Sequence, residues 1–201
     1  MEEIWKRLKA WLKTNAPHAL RELQAGATET QIRELEEFFN VQFSEGFKAS
    51  YRICNGQIDN SDFLLIDAEE LLSLEGIKRE WITIQKLTNS EQFHSYSQQD
   101  FKSFSAPEVR SLWWLSEWIP LTSSRAFAFP SPIERGNYCL DFNPSKEGIK
   151  GQIISTELDG PERKLVAPNF KSWLQQYVED LESDKLEFHE GTNAIWYYDQ
   201  Y

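Results

Sequence analysis

The sequence predicts an α+β fold. Amphipathic helical segments crowd the first ninety residues, short apolar or alternating strand segments follow, and a final amphipathic helix comes after them. The 201 residues are 40% hydrophobic and 14% aromatic, with eight Trp. A chain of this length buries roughly 70% of its unfolded surface, so neither metal nor disulfide is needed to complete a core. The expected organisation is one domain over residues 1–183, with a polar insertion near 88–106, a variable loop near 122–136 and an aromatic tail over 184–201.

The first helix is marked by Ile4, Trp5, Leu8, Trp11 and Leu12 on one face, and Pro17 stops it. Thr28 lies three residues before Gln31, the spacing of a capping box. The helix it starts carries Ile32, Leu35 and Phe39 and stops at Asn40. Ser44 caps a third helix with Phe47, Tyr51 and Cys54 on one side. Asn55-Gly56 tolerates the left-handed backbone that closes a helix. Ser73 caps a fourth, carrying Leu74, Ile77, Trp81 and Ile84.

Strands are expected around Phe63–Ile66, around Trp118 with Pro120 confining that segment to an edge, and over Tyr138–Phe142, where apolar residues alternate with Cys139 and Asp141. Two more, Gln152–Thr156 and Arg163–Val166, flank an Asp159-Gly160 turn. Phe63, Trp118, Tyr138, Ile153 and Leu165 are expected to share one sheet. The last helix, from Pro168-Asn169, buries Phe170, Trp173, Leu174, Tyr177, Val178 and Leu181 and leaves Glu179, Asp180 and Glu182 exposed.

The formal net charge is −11. Phosphate backbones repel such a surface, so no direct nucleic-acid contact is expected. The N-terminal residues lack a basic stretch followed by an apolar one, and no apolar run approaches a membrane span, so a cytoplasmic protein without membrane contact is expected. Cys54 and Cys139 fit reduced thiols. The three His stand at 18, 94 and 189 without metal-binding spacing, and no nucleophile or phosphate-loop motif is present. These observations predict no cofactor, no metal and no catalytic residues.

Several segments in order resemble the SUKH superfamily: "LQAGATETQIRELEEFFNVQFSEGFKASYRICNGQ", "LLSLEGIKREW", "WIPL", "GNYCLDFNPSKEGIKGQII" and "ERKLVAPNFKSWLQQYVEDLE". The third helix starts differently here, with Phe43-Ser44-Glu45-Gly46, and the turn after the Trp-Ile-Pro strand is replaced by a longer segment. The resemblance implies one curved mixed sheet flanked by helices and a non-catalytic, protein-binding role. Superfamily members include bacterial immunity proteins that neutralise toxins, often nucleases, and fungal regulators of cell-wall assembly. The expectation is therefore an immunity protein that binds a basic toxin domain; the alternative is an intracellular scaffold or regulator.

Candidate partner-binding residues are Trp118, Phe127, Phe129, Asp141, Glu147, Glu157 and Asp159. Trp118 reads equally as an anchor or a core ring, whereas Asn55-Gly56 reads as a helix end in preference to a groove. Asp141 reads as a solvated face residue if it points outward and as an acidic contact if it lines the concave sheet, the second being what the resemblance implies; Arg163 beside Glu162 reads as a surface pair in preference to a recognition residue. The length of the chain leaves the oligomeric state open.

Overall fold

The structure is a computed structural model that describes residues 1–59, 61–90, 104–124, 136–157 and 162–197, with Glu157 described in its backbone alone. In chain order the described elements are α1 (Glu2–Asn15), a 3-10 turn (Pro17–Arg21), α2 (Glu29–Phe39), α3 (Glu45–Ile53), β1 (Glu70–Leu71), α4 (Leu74–Thr88), β2 (Trp118–Pro120), β3 (Thr122–Ser123), β4 (Gly136–Asp141), β5 (Gln152–Glu157), β6 (Arg163–Ala167), α5 (Phe170–Glu182), β7 (Leu186–His189) and β8 (Ala194–Tyr197). The α+β class is as expected. The chain divides into two compact units, Met1–Gly76 with Lys171–Tyr201, and Ile77–Phe170.

In the first unit, local sequence signals set the helix ends. Thr28 Oγ1 accepts from Gln31 N at 3.3 Å, and Gln31 Oε1 accepts from Thr28 N at 2.8 Å, so both bonds of the capping box form. Asn40 is left-handed, with φ 51°. Ser44 Oγ accepts from Phe47 N at 3.3 Å and starts α3. The i, i+4 spacing of Phe43, Phe47 and Tyr51 lines up three rings at centroid distances of 4.3 and 4.4 Å. Trp5 of α1 donates from Nε1 to Ser50 Oγ at 2.8 Å, so a polar residue in the middle of α3 is buried with a partner.

The Asn55-Gly56 pair works otherwise than the sequence suggests. After α3 the backbone is extended at Cys54, with φ −150°, so no left-handed cap closes the helix. Asn55 instead accepts at Oδ1 from Leu74 N (3.0 Å), beside Ser73 Oγ accepting from Gly76 N (3.0 Å) at the start of α4. Gly56 has φ +69°, and a Cβ there would lie 2.4 Å from Leu72 O. The pair braces two helix ends and is closed to any groove.

Gln57, fully buried, binds the next loop. Its Nε2 donates to Ser61 Oγ (3.0 Å) and Phe63 O (2.6 Å), and its Oε1 accepts from Leu71 N (2.8 Å) and Leu65 N (3.3 Å).

The expected face of α5 is buried: Trp173, Leu174, Tyr177, Val178 and Leu181. One expectation fails beside it. Residues after Ser183 form a hairpin, β7 antiparallel to β8, with Phe188 opposite Ile195. The Phe63–Ile66 segment joins this hairpin and not the four-stranded sheet. Leu64 pairs in parallel with Ala194, Leu64 N donating to Asn193 O and Ile195 N to Leu64 O, each at 3.0 Å. A tight turn follows, in which Ile66 and Glu69 exchange both backbone bonds and Asp67 and Ala68 take φ 47° and 60°.

The second unit is built on an antiparallel sheet in the order β2-β4-β5-β6. Trp118, Tyr138, Ile153 and Leu165 therefore share it as expected, and Pro120 ends an edge strand. The register pairs Trp118 with Asp141, Asp141 with Gln152 and Ile154 with Leu165. Between Ile153 and Ile154 it slips by one residue, leaving Val166 as a bulge on the other edge strand. A proline at one edge and a bulge beside Lys164 at the other both discourage strand addition.

Candidate protein-binding site

The period-two alternation of β4 pairs two unlike faces. Leu140 is buried, as its chemistry predicts, but so are its neighbours of opposite parity, Asn137, Cys139 and Asp141. Together with Trp118, Gln152, Ile154, Thr156 and Arg163 these residues form a face that is both polar and closed. The segment 104–117 covers it, with Val109 in the same cluster as Trp118, Cys139 and Ile154, and Ala106, Trp114 and Leu115 packed against them.

A polar face can be buried only if its groups are hydrogen-bonded. Asp141 Oδ1 accepts from Asn143 N at 2.9 Å and its Oδ2 from Gln152 Nε2 at 3.0 Å. Burial pushes the Asp141 carboxyl up, and the bonds from Asn143 and Gln152 offset this only in part. Gln152 also donates to Glu108 O at 3.0 Å and accepts from Ile149 N at 2.9 Å. Asn137 Nδ2 donates to Thr122 O at 2.6 Å and to Glu80 Oε1 of α4 at 3.2 Å. The Arg163 guanidinium is fully buried, which corrects the expectation of a surface pair with Glu162. It donates to Trp113 O (2.7 Å) and Glu162 O (2.6 Å), with its centre 5.5 and 6.0 Å from the Trp113 and Trp118 rings.

This network fixes the turn between β4 and β5. Ser145 N donates to Glu108 O at 3.1 Å, and a Cβ on Gly148 would lie 2.3 Å from that same oxygen. Arg110 Nε donates to Pro144 O at 3.3 Å. These contacts pack the turn against residues 108–110, and Ile149 is 61% exposed.

The scan against family models matches residues 26–176 to the SMI1 / KNR4 family (SUKH-1). The chain belongs to that family. The matched span runs from the α2 cap through the whole sheet and into α5; α1 and the β7–β8 hairpin flank it. The chain is 24% identical over 215 residues to a Neurospora crassa protein named "Glucan synthesis regulatory protein", covering 95% of this chain and 40% of that one. It is 23% identical over 210 residues to the "Cell wall assembly regulator SMI1" of Saccharomyces cerevisiae, covering 89% of this chain and 40% of the relative. The chain thus spans about 40% of the length of these curated relatives.

Among the described residues of this SMI1/KNR4 domain, the candidate partner-binding residues do not form one exposed patch. Trp118 and Asp141 are fully buried, the first as a core ring 5.8 Å from Trp114 and the second as a hydrogen-bond acceptor. Glu147 is exposed in the β4–β5 turn. Glu157 pairs with Gly136, whereas Asp141 pairs with Gln152, so the two acids stand at opposite ends of the β4–β5 ladder, about 17 Å apart along the strand. Phe127, Phe129 and Asp159 lie outside the described residues. The sheet unit is also not acidic overall: Ile77–Phe170 contains eleven Lys and Arg and eleven Asp and Glu, so the net charge of −11 belongs to the rest of the chain.

Residues that shape the site but carry no sequence signal are Gln152, Arg163 and Ile149. A Gln or Arg in a strand reads as solvated, and only the segment folded over the sheet reveals otherwise. No group of His, Cys, Asp and Glu suited to a metal occurs among the described residues, and no described helix is long and apolar enough to cross a membrane.

Proposed function

We propose that the chain is a non-catalytic protein-binding domain of the regulatory type. Membership of the SMI1/KNR4 family carries this reading, since both curated relatives are named as regulators, of glucan synthesis and of cell-wall assembly. The regulatory alternative is thereby better supported than toxin neutralisation, for which no relative here speaks. The fate of the polar side chains agrees with it. Asp141, Gln152, Asn137, Arg163 and Gln57 are buried in hydrogen bonds that hold loops in place, and none of them converges on an open cleft as an acid–base pair would. The partner is a protein, met by the turns and loops that the sheet holds rigid.

The test is affinity purification of the tagged chain from its native host, followed by identification of stoichiometric partners. A housekeeping enzyme or regulatory protein is the expected partner. A toxin encoded beside this chain would restore the immunity reading, and turnover of a small molecule by the purified chain would overturn both.

A further inference from the structure

We draw no further inference here: the strongest candidate, the apolar surface patch of Phe104, Leu165 and Val166 along the outer edge of β6, carries none because nothing in the structure shows what covers it.

Discussion

Asp180 and Asp141 are both buried aspartates, one in each unit, and they meet opposite fates. Asp180, on α5, accepts from Lys185 Nζ at 2.8 Å, Gln176 Nε2 at 3.0 Å and Tyr197 OH at 3.1 Å. Burial alone would raise its carboxyl. The bonds from Lys185, Gln176 and Tyr197 outweigh that and hold it below the ordinary carboxylate value. Asp141 receives neutral donors, and burial keeps its carboxyl raised. Burial sets the penalty for a charge; whether a cation is among the donors decides which protonation state wins. The sequence expectation of an exposed Asp180 fails for the same reason. The β7–β8 hairpin returns across the end of α5 and supplies Tyr197, and Lys185 follows the helix directly.

The largest expected effects compare the two cores. Trp173→Ala in the first unit and Trp118→Ala in the second should each cost about 3–5 kcal/mol, the usual range for a buried large aromatic ring. Urea unfolding followed by circular dichroism measures both. An unchanged midpoint for either would show that its ring is not buried in solution.

A middle-sized contrast tests the two aspartates directly. Asp180→Asn should cost about 1–2 kcal/mol at pH 7, because it removes charge-assisted bonds whose Lys185 partner is largely exposed and screened. Asp141→Asn should cost less than about 1 kcal/mol, since its donors are neutral and the amide can still accept one bond. Equal losses would remove the distinction.

The pH dependence gives the same contrast with opposite signs. The contribution of Asp180 is present above the unfolded carboxylate value and is lost as pH falls through its lower folded value. That of Asp141 is present below the unfolded value and is lost as pH rises through its higher folded value. Acid titration of stability should therefore be shallower in Asp180→Asn and steeper in Asp141→Asn than in the parent.

The smallest effect concerns the turn that the Phe63–Ile66 segment makes before β1. Ala68 is held at φ 60°, where an alanine is strained, and its N–H donates to Ile195 O at 2.7 Å. Ala68→Gly should stabilise the protein by about 0.5 kcal/mol, the relief of strain less the entropy glycine gains in the unfolded chain. A loss of stability would show that the turn is not left-handed in solution.

Much of the fold was legible. The Thr28 and Ser44 caps, the Asn40 stop, the apolar faces of α1, α2 and α5, and the edge position of Pro120 all follow from interactions within a few residues. The candidate site was far less so. The sequence leaves Trp118 equally an anchor or a core ring and Asp141 open to either side, and only the segment 104–117, which carries no periodic pattern, folds over that face and closes it. A lone isoleucine in a turn, as at 149, carries no sequence signal, and the bond from its N–H to the buried Gln152 depends on the folded sheet.

The sequence by itself determined the helices, most of their ends, the strands of the main sheet and the family, because hydrophobic period and capping are largely local. Only the tertiary structure decided the destinations of Asn55, Gln57, Asp141, Arg163 and Asp180. Each is a polar residue whose environment depends on a partner distant in sequence: Leu74, Leu71, Glu108, Trp113 and Tyr197 respectively supply or share their bonds. A polar side chain is equally at home in water or in a satisfied buried network. Its own identity cannot choose between them, and the packing of distant segments does.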